Sequence, residues 1–262
     1  MAPMLAFSNV VVKHSPPFIR EGNTERSYMI FWLASYPRSG NTFFRIVLHR
    51  VFNVPTYSVY DDDDPVAQRI GLQLVGYRAK PMDRAAMAAS SEFFFVKTHK
   101  RRKTDSYPAI YLVRDGRDAV VSQARLCAAD GQDRKPFDQV LREQILRPWN
   151  SAEPSSGSWG GNVLSWLSAS DSQTVVVRYE DLVAAPQAVV VEAVRTLCPE
   201  LAPSADAQVP NFAELKTIDS EFFRRGEVGS HRDEMSAELQ ELFWQVPENT
   251  HAMARLGYLR TT

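Results

Sequence analysis

The chain has 262 residues, of which 44% are hydrophobic and 23% charged, with a formal net charge of −1. That length supplies ample material for a core, and the balance is that of an ordinary globular protein. The near-zero charge gives no bulk attraction to nucleic acid or to an anionic membrane, and the two cysteines, Cys127 and Cys198, make no disulfide framework.

The N-terminal MAPMLAFSNVVVKH has no basic n-region and only a broken apolar run, so no secretory leader is expected. No uninterrupted apolar stretch approaches the length of a membrane span. With two isolated cysteines, these features predict a reduced, cytoplasmic setting.

Met29 to Ala34 is a short apolar run with aromatic weight and reads as a buried strand. Ser35 to Asn41 concentrates Ser, Pro, Arg, Gly and Asn into a tight loop. Thr42 suits a helix N-cap, with Phe43 to Phe52 following at helical spacing. A strand, a Gly-containing loop and a helix N-terminus bind phosphate through unpaired N–H groups and the helix dipole. Arg38, Ser39 and Thr42 add side-chain donors. Alone, the stretch fits an ordinary strand-to-helix turn equally well. It is not the common triphosphate loop G-x-x-x-x-G-K-[ST], because Ser35 stands at the first Gly position and Asn41 at the Lys position.

Asp61 to Asp64 reads as a solvated loop better than as a cation site, since adjacent carboxylates cannot all converge on one ion. Residues 66 to 90 carry helical patterns interrupted by Pro81. A second strand, Phe93 to Val96, ends in Lys97-Thr98-His99, followed by the basic run Lys100 to Lys103. Ala109 to Val113 is a third strand, closed by Arg114-Asp115-Gly116, and Arg117 to Ala129 is an amphipathic helix. Residues 130 to 158 form an excursion with one helical segment, Phe137 to Leu146. Trp159 to Ala169 is helical, and Thr174 to Arg178 is a fourth strand running into Tyr179-Glu180-Asp181-Leu182. Pro186 opens a helix to about Leu197. Residues 199 to 209 are a linker, and the C-terminal third is helical with a break near Pro247. Its apolar stripe, Leu239, Leu242, Phe243, Met253 and Leu256, is predicted to be core.

Short apolar strands alternating with helices predict an α/β fold, a central parallel sheet covered on both faces. Ligands of such sheets bind at the carboxyl ends of the strands. The notable polar residues fall there each time: Arg38 to Thr42, Lys97 to His99, Arg114 to Arg117, Tyr179 to Asp181. An anionic, phosphorylated ligand is the expectation. Lys97 and His99 share a face at period two, so both can point at one reacting centre. A neutral His99 there can take a proton from an acceptor, while Lys97 and Arg38 steady negative charge. Arg114 and Ser122 can hold a second phosphate; Asp115 and Arg117 suit a capping ion pair instead. The loop Phe223 to Gly229 is compatible with a solvated turn and with close backbone approach to phosphate.

Taken together, these segments resemble sulfotransferases that use 3′-phosphoadenosine 5′-phosphosulfate (PAPS). Tyr36-Pro37-Arg38-Ser39-Gly40-Asn41-Thr42-Phe43 resembles the family's loop for the 5′-phosphosulfate. Tyr111 to Ser122 resembles its second signature, with Arg114 and Ser122 at the positions that grip the 3′-phosphate. Lys97-Thr98-His99 matches the segment of the catalytic base, and Gly157-Ser158-Trp159 with Val163 and Trp166 matches the helix before the fourth strand. Arg178 to Leu182 resembles the segment whose Tyr, here Tyr179, touches adenine. Arg224-Arg225-Gly226 resembles the loop that closes over the 3′-phosphate.

The resemblance implies one sulfotransferase domain over residues 1–262, with a cofactor-binding core at about 29–229 and a helical part at about 232–262. It implies a soluble, bacterial-type enzyme, monomeric or homodimeric, with no nucleic-acid or membrane partner. PAPS would be the co-substrate and adenosine 3′,5′-bisphosphate the product, without metal, because cationic side chains supply what Mg²⁺ provides in kinases. His99 would be the base, with Lys97 and Arg38 balancing charge. Arg38, Ser39, Gly40, Asn41, Thr42, Phe43, Arg114, Ser122, Tyr179, Arg224, Arg225 and Gly226 would bind the co-substrate. The acceptor would be a hydroxyl or amine of a small molecule, saccharide or natural product.

The chain departs from the family's pattern at named positions. Arg38 replaces the usual Lys and cannot donate a proton at neutral pH. Phe43 replaces a Trp that stacks on adenine, Arg225 replaces a Lys, and Ser230 and His231 occupy the place of another Trp. The alternative is a P-loop kinase of a small molecule using ATP and Mg²⁺. The missing Lys after Gly40 and the lack of an evident Mg²⁺-binding Asp at a strand end stand against it.

Overall fold

A computed structural model of the protein describes residues 11–13, 30–60, 65–79, 84–102, 105–130, 135–147, 156–168, 173–224, 226–258 and 260. Its centre is a six-stranded sheet in the order β1-β6-β5-β2-β4-β3. The strands are β1 (Val11–Lys13), β2 (Ile30–Ser35), β3 (Thr56–Ser58), β4 (Phe94–Thr98), β5 (Ala109–Val113) and β6 (Thr174–Arg178). All pair in parallel except β1, which runs antiparallel to β6 at the edge.

The alternation along each strand builds two cores. Ile30, Trp32 and Ala34 of β2 join Phe94, Val96, Tyr111 and Val176 on one face. There they meet α4 (Gly116–Asp130), α5 (Phe137–Ile145), α6 (Trp159–Leu167), α11 (Ala237–Gln245) and α12 (Pro247–Leu256). Phe31 and Leu33 point the other way with Phe95, Ile110, Leu112 and Val177, against α1 (Asn41–Phe52) and α8 (Pro186–Leu197). Because both faces are covered, the central strands β2 and β5 and most of β4 and β6 are apolar, as the sequence predicts. The predicted C-terminal stripe is core: Leu239, Phe243, Met253 and Leu256 are buried and Leu242 packs against them.

Register sets the functional edge. Ala34 lies beside Thr98, Ser35 beside Leu112, and Val113 beside Arg178. The segments that follow β2, β4, β5 and β6 therefore leave the sheet at one edge, as expected for a ligand site in an open α/β sheet.

Several boundaries differ from the sequence expectations. Thr42 is not the helix N-cap: Gly40 is, at φ 94°, and its carbonyl accepts the Phe44 N–H at 2.9 Å. A residue without Cβ takes that left-handed turn at no steric cost, and a Cβ there would also lie 2.8 Å from Tyr179 Cδ2. The segment after the fourth strand, Tyr179 to Ala184, is the helix α7. The short strands β1 and β3 were not expected, and β3 is too brief and too polar to show an apolar run. The helical pattern of residues 66 to 90 resolves into α2 (Pro65–Ile70) and α3 (Arg84–Ala89). Met29, the Asp61 to Asp64 run, Pro81 and Arg225 lie outside the described residues. Of the remaining helices, α9 (Phe212–Ile218) opens with a capping box between Asn211 and Glu214, and α10 (His231–Glu234) is a single turn. No helix among the described residues is long and apolar enough to cross a membrane.

Candidate active site

The loop between β2 and α1 turns on two left-handed residues, Arg38 at φ 66° and Gly40 at φ 94°. A non-glycine residue at positive φ is uncommon and marks a constrained position. The turn carries the Arg38 side chain across to other segments. Arg38 Nε donates to Ser122 Oγ at 3.1 Å, and Nη2 donates to the Phe222 carbonyl at 2.8 Å. Its guanidinium also sits 4.2 Å from the Phe222 ring centre. Arg38 thereby ties the first loop to α4 and to the C-terminal loop.

Asn41 works inward. Its Nδ2 donates to the Leu33 carbonyl at 2.9 Å and approaches Ser35 Oγ at 3.4 Å, fastening the start of α1 to β2. The first-turn N–H groups of α1, which have no carbonyl of their own helix to bond, face the sheet edge with the positive end of the dipole.

Arg114 leaves β5 into the same region. Its Nη2 donates to the Glu227 carbonyl at 2.9 Å, and its guanidinium lies 4.4 Å from the Tyr179 ring centre. Arg114 is 7% exposed, and its Nε is buried without a hydrogen-bond partner among the described residues. Arg38 is pushed down to about 10, first by burial and next by the Arg114 charge; Arg224 acts in the same direction. At neutral pH the Arg38 guanidinium remains charged. Cations gathered on one cavity wall create a strong local demand for an anion.

Lys97 and His99 follow from β4. Lys97 is 7% exposed, with Nζ 5.9 Å from the Tyr60 ring centre. His99 Nδ1 lies 3.0 Å from the Ser35 carbonyl and 3.1 Å from Ser35 Oγ. The His99 backbone is clamped from both sides: its N–H donates to Tyr60 Oη at 2.9 Å, and Asn162 Nδ2 donates to its carbonyl at 2.9 Å. Asn162 is fully buried and in turn accepts from Tyr111 Oη at 2.9 Å.

The segments enclose one cavity of about 510 Å³. Arg38, Gly40, Asn41, Thr42, Phe43, Lys97, His99, Arg114, Ser122, Tyr179, Arg224 and Gly226 all line it. Ser39 does not: it is fully buried, with Oγ lacking a partner among the described residues. Its side chain lies in the interior because the left-handed turns on either side aim Arg38 outward. The expected Asp115–Arg117 pair is present, bidentate and buried, with Arg117 Nη2 at 2.7 Å from Asp115 Oδ2. Pro37, Phe223 and Ser230, which the sequence motifs include, complete the lining with Arg69, Gln123, Leu126, Phe212 and Phe222, which were not singled out from the sequence. Phe212 sets its ring edge-on to Phe43 at 6.5 Å, and a Cβ on Gly226, at φ 67°, would run into Phe212.

A family model described as a sulfotransferase domain matches residues 30–198. The chain belongs to this sulfotransferase family. A curated relative, WSCD family member GA21586 of Drosophila pseudoobscura pseudoobscura, is 28% identical over 162 residues. The match covers 61% of this chain and 47% of that protein, so the chain spans about half the length of that relative. Mouse sulfotransferase SULT7A1, solved with PAP, superposes with a TM-score of 0.62 at 17% identity, over 88% of this chain and 89% of that one. Retinol dehydratase, solved with androsterone and the inactive cofactor PAP, superposes at 0.54 with 19% identity, over 86% and 80% of the two chains. The shared architecture is the α/β sulfotransferase fold. These relatives include animal proteins, so the likeness is not specifically bacterial, as the sequence resemblance had suggested.

Beside the cavity lies one buried carboxylate whose place the sequence reading passed over. Asp118 of α4 accepts from the Gly229 N–H at 2.7 Å and the His231 N–H at 2.8 Å, and faces His231 Nδ1 at 2.7 Å. Burial alone would raise its pKa. The His231 side chain, the Arg114 guanidinium and the two backbone N–H groups instead hold it at about 2. Arg224 lies on the cavity wall, with Nη2 donating to Glu234 Oε1 at 2.6 Å.

Proposed function

We propose that the protein transfers the sulfuryl group of PAPS to a hydroxyl or amine of a small-molecule or saccharide acceptor. The observation that carries this reading is the shared cavity in which half-buried Arg38 and buried Arg114 meet Lys97 and His99. The residues fit the co-substrate. Arg114, whose Nε has no partner among the described residues, suits the 3′-phosphate together with Ser122, Arg224 and Gly226. The Gly40–Thr42 helix start and Arg38 suit the 5′-phosphosulfate. Phe43, Phe212 and Tyr179 offer aromatic walls for adenine. The mouse enzyme and retinol dehydratase, of the same fold, were solved with PAP, which supports this choice of nucleotide.

PAPS supplies a sulfuryl group on a phosphosulfate anhydride, and adenosine 3′,5′-bisphosphate is what remains after transfer. The protein's part is proton removal, alignment and charge balance. The Ser35 carbonyl can only accept, so its contact with His99 is a hydrogen bond when the proton sits on Nδ1. That tautomer gives Nε2 the lone pair needed to take the acceptor's proton. Lys97 and Arg38 balance the negative charge that builds on the departing phosphate oxygen.

Incubation with PAPS and a panel of alcohols, phenols, sugars and amines, followed by mass spectrometry, tests the reading. The expected result is an acceptor gaining one sulfuryl group with equimolar bisphosphate. Tight bisphosphate binding with no acceptor consumed across the panel would make the protein a nucleotide-binding module instead.

A further inference from the structure

A buried carboxylate beside a site built for anions opposes the charge of the ligand, and its burial is unfavourable unless it is fully hydrogen-bonded. Asp118 is fully buried, one helical turn from Arg114 and Ser122. Its bonds show what it joins. Oδ2 accepts from Gly229 N–H at 2.7 Å; Oδ1 accepts from His231 N–H at 2.8 Å and meets His231 Nδ1 at 2.7 Å and Ser230 Oγ at 3.4 Å. The Arg114 guanidinium is 3.7 Å away. Arg114 in turn donates to the Glu227 carbonyl. Residues 227 to 231 are thus pinned to α4 from several directions by partners more than a hundred positions apart in sequence.

Resting on the PAPS reading, we propose that Asp118 and His231 form a latch that positions the cradle of the nucleotide's 3′-phosphate. The cradle is made of two segments, the end of β5 with Arg114 running into α4 with Ser122, and the C-terminal loop with Arg224 and Gly226. Arg38 and the Arg114–Glu227 bond also span them, and Asp118 is the carboxylate that joins α4 to residues 229 to 231. Asp118 touches no ligand; it is a positioning residue. The latch makes selectivity for a 3′-phosphorylated nucleotide depend on a carboxylate outside the cavity wall. The 5′-phosphate contacts at the start of α1 are fastened to β2 through Asn41, while Tyr179 borders the latch through the Arg114 guanidinium at 4.4 Å.

Isothermal titration of the full chain with adenosine 3′,5′-bisphosphate and with adenosine 5′-monophosphate tests this. Wild type is expected to prefer the bisphosphate by about a hundredfold or more, as charge-assisted contacts to one phosphate allow. Asp118→Asn is expected to cut that preference by about tenfold or more, while monophosphate affinity moves by less than about threefold. His231→Ala, which keeps the backbone N–H bonds, should give a smaller loss of the same kind and carries the test if Asp118→Asn does not fold. An unchanged preference in both folded variants, or an equal loss of both nucleotides, overturns the latch. A wild type without preference overturns the PAPS reading itself, a separate outcome.

Discussion

His99 Nδ1 faces the Ser35 carbonyl at 3.0 Å, so the residue that ends β2 orients the imidazole that follows β4. The parallel register of β2 and β4, with Ala34 beside Thr98, makes this contact unavoidable once both strands form. Orientation of a base by a second group is the arrangement general-base catalysis requires. His99→Ala is therefore expected to lower kcat by about 10²–10⁴-fold while bisphosphate affinity persists. Steady-state kinetics beside calorimetry checks it; wild-type turnover by the variant would remove His99 from the role.

Arg38 makes two directed bonds with one planar group, to Ser122 and to the Phe222 carbonyl. A lysine ammonium is a point donor on a flexible stem and cannot reproduce both. Arg38→Lys should weaken bisphosphate binding by about tenfold, measured by calorimetry, and Arg38→Ala should weaken it further. Equal affinity for Arg38→Lys and wild type would show that charge alone matters here.

Gly40 combines φ 94° with a neighbouring Tyr179 ring 2.8 Å from a would-be Cβ. Gly40→Ala is expected to cost about 1–2 kcal/mol from the left-handed conformation alone. The urea midpoint should fall at constant m-value. Tyr179 must also shift, so nucleotide affinity should drop in the same variant.

Asp118 sets the acid behaviour of the C-terminal loop. Its folded pKa, about 2, lies below the ordinary value of 3.8. A depressed carboxyl contributes stability above its unfolded pKa and loses it as pH falls through the folded one. The window is therefore about pH 4 down to pH 2, and the contribution at neutral pH is on the order of 2 kcal/mol. The stability gap between wild type and Asp118→Asn should close as pH falls below about 4. A gap that widens on acidification would contradict the assignment.

Much of this was legible in the sequence because it rests on local signals. The apolar runs at Ala109–Val113 and Thr174–Arg178 give β5 and β6 to the residue, and Pro186 marks the start of α8. The basic residues at successive strand ends give the site. What escaped depends on distant packing. Asp118 lies in a helix that reads as amphipathic, and its partners Gly229 and His231 are over a hundred residues away. Ser39 looks like a donor in a polar loop, yet the left-handed Arg38 beside it turns the hydroxyl inward. The Asn41 amide serves the strand, a use that loop composition does not reveal.

The central claim concerns the nucleotide, and calorimetry with adenosine 3′,5′-bisphosphate against ATP–Mg²⁺ tests it most directly. The cavity formed by Arg38, Arg114, Ser122 and Gly226 predicts bisphosphate binding without added metal, at least about tenfold tighter than ATP–Mg²⁺. Tighter binding of ATP–Mg²⁺, with little or none of the bisphosphate, would contradict it and make the protein a kinase of the same architecture.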